Sequence, residues 1–141
     1  MRRTLALTLA GMAAAIGLGL LGGGVRAQAP ATGPSFTQAQ ADQGAQVYSQ
    51  HCGLCHGAHM DDGEFGPSLK GARFKRQWGG KSVGALFSYV TAAMPPGQAG
   101  TLPADDYAAV LAFVFQANGA TAGAAPMPAD SQALAGATVP N

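Results

Sequence analysis

The sequence predicts a small all-α protein with three main helices in one domain, residues 37–119. Three segments of that range repeat apolar side chains at three- and four-residue spacing, and each follows a residue that commonly begins a helix. No segment alternates apolar and polar residues as a half-buried strand would. A domain of roughly 80 residues has little core of its own, so we expect a cross-link or a large cofactor to stabilise it.

The first 27 residues have the pattern of a secretory signal peptide. Arg2 and Arg3 precede an uncharged, apolar run over residues 5–21, and residues 25–27 offer small side chains at a cleavage site. We predict cleavage after Ala27 and export to the periplasm. The alternative is a retained membrane anchor, for which the apolar run is just short of the ~20 residues of a spanning helix.

The first predicted helix begins at Thr37 and runs toward Gln50. Thr37 and Gln40 form a capping box, in which each side chain can satisfy a backbone N–H of the first turn. Gly44 lowers the helix propensity. The apolar face carries Ala41, Gly44, Val47 and Tyr48.

The second and third predicted helices begin at Ser82 and Pro103. Ser82 can cap a helix whose apolar residues are Leu86, Phe87, Tyr89 and Val90. Pro103 suits the first turn of the third helix, two aspartates favour its positive N-terminus, and Asn118-Gly119 ends it. Its buried stripe consists of Tyr107, Val110, Leu111, Val114 and Phe115.

Two segments without helical periodicity flank the domain. Residues 28–36 form a leader. Residues 120–141 are rich in alanine, glycine and proline, with Leu134 and Val139 as their only large aliphatic residues. We expect an extended tail that is either disordered or laid along the domain surface.

The two cysteines of the chain form the motif Cys52-Gly53-Leu54-Cys55-His56, which is typical of covalent haem attachment. Two thiols at this spacing can form thioethers to the vinyl groups, and the histidine can ligate the iron. A thioredoxin-like pair needs a βαβ context, a structural zinc site needs four ligands, and a disulfide here would close too small a loop. We therefore predict one haem c, bound by Cys52, Cys55 and His56.

Met94 is the predicted second ligand of the iron. It is followed by Pro95-Pro96-Gly97, and the prolines hold the backbone extended in a loop that can aim the thioether inward. The alternative is that Met94 packs in the core. The rival ligands lie close to the attachment motif or in the tail: Met60, His51, His59 and Met127.

Together these motifs resemble a class I cytochrome c over residues 37–119. The likeness rests on residues 48–57 around the attachment motif, residues 66–69, residues 93–95 and the final helix. It implies a small class I cytochrome c fold, with three main helices around one covalently bound haem. It also implies that the first and last helices cross closely at Gly44, and that the Pro67 carbonyl accepts the ring N–H of His56; the alternative is that Pro67 is a simple turn proline.

A looser likeness concerns the electron donor. Trp78 and the segments 86–90, 94–97 and 107–113 are similar to cytochrome subunits or domains that accept electrons from quinoprotein alcohol dehydrogenases. The haem propionates need hydrogen-bond donors and positive charge. We expect Trp78 and Arg73 to supply them.

The positive charge of the mature chain is concentrated in one segment. Removal of residues 1–27 leaves seven acidic and five basic residues, and the basic ones all fall within residues 70–81: Lys70, Arg73, Lys75, Arg76 and Lys81. This patch could steer an acidic redox partner, could balance the propionates, or could be an ordinary solvated loop. No motif for nucleic-acid binding is present in the sequence.

We therefore expect a periplasmic single-electron carrier and not an enzyme. Its redox partners are expected to be a periplasmic dehydrogenase as donor and a terminal oxidase as acceptor, with membrane contact only if the signal segment is retained. The alternative is a haem enzyme or gas sensor with a displaceable sixth ligand, which needs distal acid–base groups. A third hypothesis is a tightly bound enzyme subunit.

Overall fold

The computed structural model describes residues 33–141, which form five helices. In chain order these are α1 (Gln38–His51), α2 (Gly53–His56), α3 (Gly71–Trp78), α4 (Val83–Ala93) and α5 (Ala104–Ala117). The described range contains no strand, and its one isolated bridge pairs Ser82 with Thr138. The predicted all-α fold is confirmed. The predicted signal peptide, residues 1–27, and residues 28–32 of the predicted leader lie outside the described residues.

Helices α1 and α5 pack against each other and form the centre of the core. Gly44 of α1 lies at the crossing, because an added Cβ would collide with the Ala109 carbonyl of α5. Close by, the Phe113 ring packs edge-on against Tyr48 with centroids 5.6 Å apart. The close crossing implied for Gly44 is thus present. Among residues 33–141, none of the helices has the length and apolar character needed to cross a bilayer.

The three predicted helices begin where their capping residues stand. Thr37 Oγ1 accepts the Gln40 N–H at 3.2 Å, and Ser82 Oγ accepts the Ala85 N–H at 3.4 Å. The capping box is not reciprocal, because the Gln40 side chain exchanges two hydrogen bonds with the Met127 backbone, at 2.8 and 2.9 Å. In α5 the whole predicted stripe is buried: Tyr107, Val110, Leu111, Val114 and Phe115.

The structure adds two shorter helices, α2 and α3, to those predicted. Helix α3 covers much of the cationic segment, which the sequence left open as a solvated loop. Its two large apolar residues, Phe74 and Trp78, are four positions apart and therefore share one face. Because α3 has only eight residues and glycines stand at its start and directly after its end, its sequence is too short to show a helical period.

Residues 120–141 lie along the helices. Three of their side chains are as buried as the core, with exposures of 2% for Met127, 3% for Leu134 and 1% for Val139. The segment first meets the chain ahead of α1, where the Gly123 N–H donates to the Phe36 carbonyl at 2.7 Å. It then passes the first turn of α1 and reaches the beginning of α4.

Candidate cofactor site

Cys52 and Cys55 lie at the junction of α1 and α2. The Cys52 N–H donates to the Tyr48 carbonyl at 2.9 Å, and the Cys52 carbonyl accepts from the Cys55 and His56 N–H groups at 3.1 and 3.0 Å. Both thiols are free and half-buried. Burial, and then the neighbouring Cys55, raises the pKa of the Cys52 thiol to about 11, so this thiol is neutral at pH 7. One tight turn therefore holds two free thiols next to an imidazole.

The His56 ring is buried and held by Pro67. Its Nδ1 lies 2.7 Å from the Pro67 carbonyl oxygen. Because a carbonyl can only accept, Nδ1 carries the proton, and in the neutral ring Nε2 then keeps its lone pair. This arrangement suits a metal-ligating histidine, since the hydrogen bond fixes both the tautomer and the orientation of the ring.

Gly66 lets the chain pass directly against the His56 ring. The Gly66 N–H donates to the Cys55 carbonyl at 2.8 Å, which ties this segment to α2. A Cβ on Gly66 would stand 2.6 Å from Nδ1 and 2.8 Å from Cε1 of His56. Any side chain at this position would push the imidazole aside. Gly66 and Pro67 therefore support the ring together, one by its absent side chain and the other by its carbonyl.

Tyr48 anchors the end of α2 to α1. Its buried hydroxyl donates to the Gly57 carbonyl at 2.7 Å, where Gly57 ends α2 with a φ of 85°. Burial above all raises the pKa of Tyr48 to about 12, so the hydroxyl remains a donor at neutral pH. From the sequence Tyr48 is only a residue of the core face. The signal for this second role is that a buried phenol needs a hydrogen-bond partner.

Met94 stands at the end of α4, and both polar atoms of its backbone are bonded. Its N–H donates to the Val90 carbonyl at 2.9 Å, and its carbonyl accepts from the Tyr107 hydroxyl at 2.8 Å. The same hydroxyl accepts from the Gly100 N–H at 3.1 Å. Tyr107 thus joins the two ends of the loop 94–100 to α5. The sequence placed Tyr107 only in the buried stripe. Because a buried hydroxyl needs hydrogen-bond partners, the residue type itself was the signal for this second role.

The other two methionines of the described chain have their own places. The Met60 side chain is buried in the core cluster. The Met127 backbone is bonded to Gln40 in the first turn of α1, whereas Cys52 follows its last turn. At 1.5 Å per residue, about 18 Å of helix separate Gln40 from Cys52.

The loop after α2 carries an exposed pair of side chains. Asp62 Oδ1 accepts the backbone N–H of His59 at 2.8 Å, and Oδ2 lies 2.9 Å from His59 Nδ1. The side-chain hydrogen bond is the largest cause that lowers the pKa of the Asp62 carboxyl from 3.8. His51, in the last turn of α1, is exposed as well.

Trp78 and Arg73 both belong to α3 but lie on different sides of it. The half-buried Trp78 ring is 5.4 Å from the Tyr89 ring of α4, and Lys81 Nζ is 5.4 Å from its centroid. Arg73 is exposed, and its position is rotated by about 140° around the helix axis from that of Trp78. The structure therefore brings Lys81, and not Arg73, next to Trp78.

These residues fit a covalently attached haem. Cys52 and Cys55 are free to form thioethers, His56 keeps Nε2 available, and Met94 offers a soft sulfur. Several apolar side chains pack against the core but stay partly uncovered, so they are available to contact a large apolar cofactor. They include Leu69, Trp78, Val90, Leu102 and Phe113.

Comparison with known proteins gives one family. A family model described as cytochrome c oxidase, cbb3-type, subunit III matches residues 39–114, which is just over half of the chain. The matched range contains the attachment motif, Gly66-Pro67, Met94 and most of α5. No curated protein and no solved structure gives a match.

Proposed function

Because the chain belongs to the family described as cytochrome c oxidase, cbb3-type, subunit III, and is a class I monohaem c-type cytochrome, we propose that it carries single electrons in the periplasm. One haem c is attached to Cys52 and Cys55, and its iron is held by His56 and Met94. The observation that supports this best is the His56 ring, with Nδ1 fixed by Pro67 and Nε2 free beside two thiols.

The bound haem c supplies an Fe(III)/Fe(II) couple that takes up and releases one electron. The residues of the chain keep both ligands in place during that change. The Pro67 carbonyl holds the His56 ring in one orientation, and the Tyr107 hydroxyl holds the backbone of Met94. With two protein ligands there is no open position for a substrate, which supports a carrier and not an enzyme.

Met94 also sets the direction of the reduction potential. A thioether is a soft ligand that favours ferrous iron and so raises the potential. A site with few charges acts in the same direction, because the additional positive charge of ferric iron is costly in a low dielectric. We propose that the Trp78 indole donates to a propionate, with Lys81 or Arg73 supplying positive charge.

The proposed partners are a periplasmic dehydrogenase as donor and a terminal oxidase as acceptor. The printed description of the matched family, an oxidase subunit, supports the acceptor. The donor rests on the likeness to cytochromes of quinoprotein alcohol dehydrogenases. Within the described residues Lys70 pairs with Asp61 at 3.2 Å, but no ion pair involves the cations of α3. Arg73, Lys75 and Arg76 are thus available to steer an acidic partner.

The haem and its ligands are tested on the exported, mature protein. We expect its mass to include one covalent haem and its ferrous form to resist carbon monoxide at neutral pH. Met94→Ala should keep the haem, bind carbon monoxide and lower the potential by a large part of the about 0.8 V that axial ligands control. A mass without haem contradicts the function, and an unchanged spectrum in the variant contradicts the Met94 ligand. Rapid carbon monoxide binding by the unaltered protein favours the haem enzyme or gas sensor.

The location and partners need a second experiment. We expect the protein in the periplasmic fraction, with Gln28 as its first residue, and we expect the dehydrogenase or oxidase to co-purify with it. Electron transfer to the captured partner should slow as the ionic strength rises, and less so in a variant with Lys75→Gln and Arg76→Gln. A rate that does not depend on salt contradicts steering by α3.

A further inference from the structure

The C-terminal tail caps the beginning of α4. The first N–H groups of a helix have no partner within the helix and need acceptors from elsewhere. In α4 the Val83 N–H donates to the Ala137 carbonyl at 2.9 Å, and the Gly84 N–H donates to the Leu134 carbonyl at 3.2 Å. A segment about 50 residues further along the chain therefore supplies two of the caps that α4 needs.

The tail also fixes the linker between α3 and α4. The Gly80 N–H donates to the Val139 carbonyl at 2.9 Å, and the Val139 N–H donates to the Lys81 carbonyl at 2.8 Å. Next to these bonds Ser82 pairs with Thr138 as an isolated bridge. The linker follows Trp78 directly, so the same tail residues hold the end of α3 and the start of α4.

The side chains of this contact are buried in the core of the domain. Val139 is among the largest fully buried side chains of the described chain, and Leu134 is buried beside it in the same core cluster. The tail backbone also lies directly against α4, because a Cβ on Gly84 would meet the Ser131 carbonyl, the Ala135 nitrogen at 3.1 Å and the Ala135 Cα at 3.2 Å.

We propose that Leu134, Ala137 and Val139, here called the tail clamp, position the Met94 sulfur on the haem iron. The proposal rests on the proposed ligation by His56 and Met94. Helix α4 has 11 residues, begins at the clamp and ends directly before Met94. It is therefore fixed by the clamp at its start and by Tyr107 at its end. Loss of the clamp frees the start of α4 and increases the population in which sulfur has left the iron.

Gly84→Ala tests the tail clamp by adding a single methyl group where α4 meets the tail. Although alanine is the better helix former, its Cβ at position 84 would collide with the Ser131 carbonyl, so this variant separates the tail from α4. If the tail clamp positions Met94 as proposed, this separation increases the population in which the sulfur has left the iron. We then expect a lower reduction potential, a weaker long-wavelength band of sulfur-ligated ferric haem, and carbon monoxide affinity about tenfold higher, since apparent affinity follows the population of the open state.

Gly136→Ala is the matched control within the same tail. A Cβ at Gly136 meets no atom within 4 Å, so this variant should keep the potential, the sulfur band and the carbon monoxide affinity of the unaltered protein. A purely structural role of the tail would lower the unfolding midpoint of Gly84→Ala and leave those three measurements unchanged. That result overturns the proposal.

Val139→Ala covers the case in which Gly84→Ala yields no holoprotein. It shortens one buried side chain and keeps the backbone hydrogen bonds, so we expect the same three changes at smaller amplitude. A folded Val139→Ala holoprotein with unaltered potential and carbon monoxide affinity overturns the proposal. Met94→Ala separates the two levels. If it changes the iron spectrum while neither clamp variant does, the ligation stands and the clamp fails; if it changes nothing, the ligation itself fails.

Discussion

His56 is held by the loop that follows it in the chain, whereas the helix that carries Met94 is held at its start by the C-terminal tail. The carbonyl of Pro67, eleven positions away, bonds the His56 ring, and Gly66 packs against it. The Met94 carbonyl is bonded at a similar separation, by Tyr107 thirteen positions away, but the start of its helix depends on the tail, about 50 positions further along the chain. Local contacts form at low entropic cost and distant ones only in the complete fold. We therefore expect the position of His56 to be less sensitive to substitutions elsewhere in the fold than the position of Met94.

The largest effect is expected from His56→Ala. It removes the one ligand that the attachment segment itself supplies, so we expect little or no stable holoprotein in the periplasm. Haem staining and the mass of the purified chain measure this. His51→Ala, at the exposed last residue of α1, is the control and should retain its haem. A stable, six-coordinate His56→Ala protein would show that another residue holds this face of the haem.

Tyr107→Phe tests the hydrogen bond by which α5 holds the backbone of Met94. It removes a hydroxyl that bonds the Met94 carbonyl and the Gly100 N–H, so we expect a loss of about 1–3 kcal/mol in the free energy of unfolding. Because the Met94 loop is loosened, we also expect a lower potential and easier carbon monoxide binding. Tyr89→Phe, at a half-exposed ring of α4, is the control for loss of a phenol. An unchanged potential in Tyr107→Phe would mean that the position of Met94 is no more sensitive to such a substitution than the position of His56.

Tyr48→Phe makes the corresponding change on the histidine side. It removes one buried hydrogen bond to the Gly57 carbonyl, which also accepts from the Met60 N–H at 3.3 Å. We expect a loss of about 1 kcal/mol in the free energy of unfolding. The potential should not change, because the Pro67 carbonyl still holds the His56 ring. A shift in potential as large as that of Tyr107→Phe would mean that both ligands depend equally on tertiary contacts.

The smallest effect is expected from Asp62→Asn in the loop after α2. The pKa of Asp62 in the folded protein lies below 3.8, chiefly because of the His59 side-chain hydrogen bond. The unfolded chain therefore takes up the proton first, so the stabilisation by this carboxylate is present above pH 3.8 and is lost as the pH falls through the lower folded pKa.

Urea unfolding of both proteins from pH 6 to pH 3 measures this difference. We expect the unaltered protein to be slightly more stable at pH 6, and the two curves to converge below pH 3.8. Glu64→Gln serves as the control, since Glu64 is exposed and makes no side-chain hydrogen bond or ion pair within residues 33–141. If the difference in the free energy of unfolding between the two proteins grows toward acid pH, the assigned direction of the Asp62 pKa is wrong.

Most of the fold could be predicted where the signal was periodic. The caps at Thr37 and Ser82 and the stripe of α5 follow from spacing of a few residues, and all are present. Helix α3 escaped prediction because two apolar residues do not make a period. The packing of the tail escaped for a related reason: Leu134 and Val139 are isolated among small residues, and only the surface they meet shows that they are buried.

The sequence by itself determined the helical class and the attachment segment, because helix periodicity and the Cys52–His56 spacing are properties of adjacent residues. Only the tertiary structure decided that Pro67 reaches Nδ1 of His56, that the Tyr107 hydroxyl meets the Met94 carbonyl, and that tail carbonyls cap α4. These contacts join residues that are eleven, thirteen and about 50 positions apart, beyond the spacing of a single helical turn. The partners in these contacts depend on how the helices and the tail pack, and a local pattern of residues does not determine that packing.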